Sequence, residues 1–417
     1  MTAADQQAAD GRPEPDRLRA GGGGPGRYPG PVPPPALLER VSRAALSWLH
    51  AHLGDFRLPD RVTDPGVNRN VTLKPLGELA QLGLSTLRAS PPGSEQHRLS
   101  REMLDFAWRE TGRGDLFLSL VRGEPHATYP MEIYGAFAEA GLRHAAFEEY
   151  ARFAATTRAW RLCEHEPTRA LGLFNTLRRL GVGADGPDGS DGAEGAEYAG
   201  VMRRTWLGGL AEPWAFEVHA GYALTHYVFH VTNWGEAPGR LPADVSDYLA
   251  QWLPSWLDGC VECEQWDLTG ELLAVAASLP EPYARAVPVD AAWHAFAGAQ
   301  NGAGAVAEDG PPPVRETADT FLDCYHSTLV AAFAGVLAAR AAARTGIGSD
   351  HRTEAPDART ETGPDHRTEA PDARTETEPH PPVRHAATGT PHSAAPPAAP
   401  VTTTGPTATT APGGGRP

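Results

Sequence analysis

Apolar positions recur along most of the chain at the 3.6-residue period of a helix. "ALLERVSRAALSWLHAHL" (36–53) repeats them at Leu38, Val41, Ala45, Trp48 and Leu49, the stripe of an amphipathic helix. Alternation of β-branched residues is nearly absent, and Gly and Pro fall between the helical runs. Two kinds of helix alternate. Charged, amphipathic runs are predicted at 36–53, about 97–122 with a break near 112–114, 144–158, about 198–207, 244–263 and 290–300. Between them lie runs rich in Ala, Gly and Leu and poor in charge: 72–87, 129–142, 167–181, 217–234, 265–279 and 323–339. A helix apolar nearly all round is a buried helix, and small residues allow close packing. Six exposed–buried pairs in order predict an all-α fold, an (α/α)6 toroid with the buried helices as inner ring. An open α-solenoid has the same pairs without closure.

Composition trims the picture at both ends. Residues 1–35 are Gly- and Pro-rich, and 346–417 are Pro, Thr, Ala, Gly and charge. Neither end carries enough apolar surface to offset the entropy of ordering, so both are expected to be disordered. The tail repeats "DHRTEAPDARTETGP" (350–364) as "DHRTEAPDARTETEP" (365–379), a low-complexity expansion with no face to stack. The domain is therefore 36–345, with a flexible acidic loop at 183–200.

A net charge of −16 with no basic cluster argues against nucleic acid. No long apolar stretch free of charge and no signal-like start are present, so no membrane partner and a cytoplasmic location are expected. Four cysteines are too few for a disulfide framework.

Candidate chemistry lies on the inner helices. His219, His226 and His230 fall within roughly 40° of one helix face. His226 and His230, four apart, have the spacing at which two imidazoles share a metal, but no H-E-x-x-H surrounds them. Either they line a cavity with Tyr222 or they hydrogen-bond in a polar seam. Glu78, Glu132, Asp267 and Glu271 each interrupt an apolar run near a helix start. A buried carboxylate needs a partner or a raised pKa. Asp267 and Glu271, four apart, share a face and suit an acid/base pair; alternatively Lys74, Arg169 or Arg178 neutralises these groups. His126, Tyr129 and Glu132 sit at one loop-to-inner-helix junction, and Asp323 to His326 at another. There Asp323 is either a helix cap or part of a site. Cys260-Val261-Glu262-Cys263 is a single CxxC with no second pair.

Two resemblances add to this. "WHAFAGAQNGAGAV" (293–306), with Gln300 before Gly304-Ala305, is similar to the Q-x-x-x-G-G/A turn of terpenoid cyclases and protein prenyltransferase β subunits. "DCYHSTLVAAFAG" is similar to a prenyltransferase inner helix whose His is a zinc ligand. The resemblance implies a toroid and zinc on His326, with Asp258 and Cys260 as the paired Asp and Cys. Those two lie upstream of the helix expected from Gln265. No DDxxD, DxDD, Walker, GxSxG or GxGxxG motif occurs. Through "TLKPLGELA", "EPHATYPMEIYGAFAEAGL", "YALTHYVFHVTNWG", "QWDLTGELL" and "YHSTLVAA", the chain also resembles a bacterial family catalogued only as a domain of unknown function.

The sequence thus predicts a central cavity for a small organic or peptide ligand, apolar or cationic. Its lining would be His126, Tyr129, Glu132, His219, Tyr222, His226, Asp267, Glu271, Tyr325 and His326. The alternative is a non-enzymatic scaffold or regulatory protein whose toroid or tails bind a partner protein, its polar inner residues serving structure alone.

Overall fold

A computed structural model describes residues 33–64, 66–161, 164–182, 193–312 and 321–350. Among these residues every regular element is helical. The expected disorder of 1–32 and 351–417, and of the 183–192 part of the acidic loop, lies outside the described residues. Residues 193–200 of that loop are the opening turns of a helix.

In chain order the helices are α1 (Pro35–Ala51), α2 (Leu73–Ala89), α3 (Glu95–Glu110), α4 (Asp115–Gly123), α5 (Tyr129–Glu139), α6 (Ala145–Ala155), α7 (Arg158–Arg161) and α8 (Pro167–Leu180). There follow α9 (Ala193–Arg204), α10 (Val218–Thr232), α11 (Ala243–Glu262), α12 (Trp266–Ala277), α13 (Tyr283–Ala286), α14 (Asp290–Ala299) and α15 (Tyr325–Asp350). The Ala/Leu-rich runs become the buried helices. Every residue of α12 is buried, including Asp267 and Glu271. The charged runs pack outside them: α3 on α2, α9 on α8, α11 on α12, and α1 on α15. Removing a Leu or Phe side chain from water gains roughly 1.5–3 kcal/mol, so the apolar contacts between these helices carry much of the folding free energy.

The buried helices touch in sequence. α2 packs on α5, α5 on α8, α8 on α10 and α10 on α12, while α15 packs on both α12 and α2. Side chains show that they run in the same direction. Residues from the first two turns of α2, α10, α12 and α15 meet one another at one end. At the other end, Glu139 of α5 accepts from Arg179 of α8 at 2.5 Å and from Asn233, after α10, at 2.8 Å, and lies 2.7 Å from Arg88 of α2. Acid collects at the N-terminal ends and arginine at the C-terminal ends, the arrangement that complements the helix dipoles.

The Gln300 turn is structural. The Gln300 Nε2 amide donates to the carbonyl of Gly304 at 3.0 Å and to that of Val41, on α1, at 3.1 Å. Gly304 has φ 106°, and a Cβ there would stand 2.2 Å from the Ala44 carbonyl oxygen, so only glycine allows this approach to α1.

One segment, Tyr325–Arg344 of α15, is long and apolar enough to cross a membrane by length and composition, where the sequence predicted none. Its apolar window is 61% buried inside the fold, against α1, α2 and α12. The buried share is what a central helix requires.

Candidate functional site

Four inner helices bring polar side chains to one point. Asp267 and Glu271 lie one turn apart at the start of α12, and His326 is the second residue of α15. The segment between α14 and α15 fixes their relative position. Asp267 N–H donates to the Glu308 carbonyl, and Glu308 N–H donates to that of Asp323, both at 3.0 Å. Ser327 Oγ donates to the Val306 carbonyl at 2.8 Å, and Val306 N–H donates to Thr328 Oγ1 at 3.0 Å. The start of α12 and the start of α15 are thereby tied to one strap of backbone.

His326 Nδ1–H donates to Asp267 Oδ1 at 2.7 Å. Its Nε2 lies 3.9 Å from both Glu78 Oε1 and Glu271 Oε1. That is longer than a direct hydrogen bond. Each carboxylate is anchored by a hydroxyl on its other oxygen: Tyr222 on Asp267 Oδ2 at 2.8 Å, Thr225 on Glu271 Oε2 at 2.5 Å and Tyr325 on Glu78 Oε2 at 2.8 Å. Lys74, one turn before Glu78, stands 3.6 Å from its Oε1. Asp267 and Glu271 side chains are 6% and 3% exposed, His326 18% and Glu78 24%, so the cluster reaches solvent through the last two.

Charge follows from this geometry. Burial pushes the Asp267 carboxyl up, but the His326 charge and the hydrogen bonds from His326 and Tyr222 outweigh it and hold Asp267 below its usual range. Burial likewise opposes charge on His326, yet Asp267, Glu78 and Glu271 raise it to about 10. Glu271 is pushed up, first by burial and then by the neighbouring Asp267 charge, against the pull of His226. Glu308 rises for the same reasons, burial and Asp267. Burial and their carboxylate partners also push the Tyr222 and Tyr325 hydroxyls up, which keeps them as donors. The site therefore joins a charged pair, Asp267 and His326, to a neighbouring carboxyl biased toward its protonated form. Such divergence between adjacent groups is what acid–base chemistry uses.

Of the residues singled out in the sequence, Tyr222, Asp267, Glu271, Tyr325 and His326 come together here. His226 is beside them, with Nδ1–H donating to the Tyr222 carbonyl of its own helix at 2.8 Å. The His226 and His230 rings are 6.1 Å apart and tilted by 55°, and His226 Nδ1 is committed to backbone. Glu132 takes both Arg169 Nη2, at 2.6 Å, and Nη1, at 3.0 Å. This is the arginine neutralisation weighed above. Tyr129 points its hydroxyl to Glu124 at 3.5 Å with Arg69 over its ring. His126 and His219 are exposed and join no part of the cluster in the hydrogen bonds described. Asp258 is exposed on the outer helix α11, and Cys260 is buried there with its thiol pushed up to about 12 by burial. Neither belongs with His326 in the group of potential metal ligands, which consists of Asp267, Glu271 and His326. Glu78 is the residue that sequence reasoning left out of the lining, although it was marked as a buried carboxylate with Lys74 one turn away.

Two cavities of about 350 and 330 Å³ lie elsewhere. The larger is at the C-terminal ends of α2 and α5, among Arg88, His97, Arg101 and Glu139; the other is lined by Leu58, Arg109 and Glu110. Neither contains a residue of the cluster. Arg88 and Glu139 are already paired with each other, whereas the cluster presents a donor facing two carboxylates beyond hydrogen-bond length, so the cluster is the better candidate for chemistry.

Among the described residues, the fold and site define an all-helical protein with a buried carboxylate–histidine cluster at the N-terminal ends of its buried helices. The model of a domain of unknown function, DUF6895, matches residues 42–336, and the chain belongs to that family. No curated protein and no solved structure matches the chain.

Proposed function

We propose that the six inner helices close into an (α/α)6 toroid whose N-terminal mouth binds a small organic or peptide ligand and has the groups to act on it by proton transfer. Support for closure is the run of inner-helix contacts, in which α15 packs on α2 as well as on α12. One observation carries the reading of the site. Three carboxylates each have one oxygen held by a hydroxyl and the other turned toward His326. Residues that serve packing alone do not need three carboxylate oxygens directed at one imidazole, although Lys74 also stands 3.6 Å from the Glu78 oxygen. The exposed apolar side chains Val71, Val218 and Leu322 stand at the starts of α2, α10 and α15, the same end as the cluster. An apolar rim over an acidic floor favours a ligand with an apolar body and a cationic or hydrogen-bond-donating group.

A scaffold reading draws on Glu132, whose carboxylate Arg169 already occupies. It accounts for that residue and leaves the geometry at His326 without a role.

The test is a thermal-shift screen of small amines, amides and short peptides against the wild type and Tyr222→Phe. Tyr222→Phe removes the hydroxyl from Asp267 and keeps the ring. A compound that stabilises the wild type and does so at least several-fold more weakly in the variant supports the reading. Compounds that stabilise both proteins equally place the ligand elsewhere and contradict it.

A further inference from the structure

We infer that Asp267, Glu271 and His326 form a divalent-metal site at the inner mouth. The inference rests on the reading of that mouth as a binding site and goes beyond it by naming an occupant.

Each of the three residues offers one ligand atom, and these atoms lie within 4.8 Å of one another. Among the described residues no other group of three His, Cys, Asp or Glu does so. An ion with ligand bonds of about 2.0–2.2 Å holds donors up to roughly 4.4 Å apart, so small side-chain adjustments bring all three onto one centre, the cation displacing the proton that His326 now shares with Asp267. Two of the ligands come from successive turns of α12, the most buried helix, and the third from the neighbouring α15. Ligands on rigid, packed elements are held in place before the ion arrives, which lowers the ordering cost of binding.

The surroundings resemble a built coordination shell. Tyr222 holds the far oxygen of Asp267, and Thr225 holds that of Glu271. Outer hydroxyls of this kind orient ligating carboxylates and tune their basicity. Glu78 adds a further carboxylate 3.9 Å from His326 Nε2, its own far oxygen held by Tyr325. One imidazole with two or three carboxylates is a nitrogen–oxygen donor set. It suits zinc or manganese better than a soft, thiolate-seeking ion. The ligand set differs from the one the prenyltransferase resemblance implied: it keeps His326 and replaces Asp258 and Cys260 with Asp267 and Glu271.

The experiment uses full-length, tag-free protein stripped with chelator. Zinc chloride and manganese chloride are titrated calorimetrically into the wild type, Glu271→Gln and His326→Ala, and bound metal is counted after dialysis. Glu271→Gln keeps the shape of the side chain, so it reports on the site even if His326→Ala fails to fold. The expected result is one more equivalent of zinc or manganese on the wild type than on Glu271→Gln, or at least a ten-fold weaker Kd in that variant. Equal uptake by the two proteins with Kd values within ten-fold of each other, or no uptake of either ion, overturns the metal site. In that event a compound whose thermal shift depends on Tyr222 leaves the ligand-binding reading standing; the two failures are therefore distinguishable.

Discussion

His326 donates to Asp267 across the boundary between α15 and α12, at 2.7 Å, and Asp267 in turn accepts the Tyr222 hydroxyl of α10 at 2.8 Å. Three buried helices are joined within their first two turns by one buried carboxylate. The Asp267 side chain is 6% exposed, so its charge depends on these two donors. Removing one partner of a buried pair costs about 3–5 kcal/mol, because the other charge stays buried without compensation. His326→Ala, unfolded in denaturant with chelator present, is therefore expected to lose several kcal/mol of stability. A loss under about 1 kcal/mol is the range of an exposed ion pair and would show that water replaces the imidazole freely.

The opposite end of the inner helices supplies an independent network. Arg179, 5% exposed, donates to Glu139 at 2.5 Å and to Gln81 at 2.7 Å. Glu139 is held below its usual range by Arg179, Arg88 and Asn233 against the upward push of burial. Arg179→Ala should cost about 3–5 kcal/mol by the same reasoning as at His326. It should leave any ligand-induced thermal shift at the mouth unchanged, because the two ends share no side chain. A shift that disappears with the arginine would mean that the ends are coupled.

His230 gives a pH dependence with a defined sign. Its imidazole is pushed well below 6.5, first by burial and then by the charges of His226, Arg169 and Arg179. Gly172 of α8 faces the ring, and a Cβ there would stand 3.0 Å from Cε1 and Nε2. In the unfolded chain the same imidazole takes up a proton near its ordinary value, about 6.5. The unfolded state then binds more protons, so stability is complete above that pH and falls as pH drops below it. Each pH unit below 6.5 is expected to remove up to about 1.4 kcal/mol relative to His230→Gln. Denaturation midpoints of the two proteins from pH 7.5 to 5 check this. Parallel curves would mean that His230 becomes protonated in the folded protein.

How much of this was legible in the sequence differs between helix interiors and helix ends. The buried helices were readable because burial on all sides leaves a record rich in Ala, Gly and Leu, as in α12, where Asp267 and Glu271 stand out as interruptions. The i, i+4 spacing of Asp267 and Glu271 put them on one face, and His326 was marked by its place before an apolar run. Periodicity says nothing, however, about which residues from distant helices meet. Glu78 and His326 are 3.9 Å apart in space and far apart in the chain, so that relationship was invisible. His126 and His219 are exposed and share no hydrogen bond with the cluster among the described residues, and spacing near a helix start does not say which side chains meet. Asp258 and Cys260 follow from the resemblance alone: both lie on α11, which runs to Glu262, and neither joins Asp267, Glu271 and His326 in the group of potential ligands.

On the proposed function, the carboxylates at His326 are kept for a ligand. Glu271 tests it most directly, since it is 2% exposed and pushed toward its protonated form by burial. Functional groups of this kind are commonly held at some expense to stability. Denaturant unfolding of Glu271→Gln, without metal or ligand, should give a stability equal to the wild type or higher by up to about 2 kcal/mol. A loss of about 3 kcal/mol or more, the size expected for breaking a structural network, would contradict the account and make Glu271 part of the scaffold.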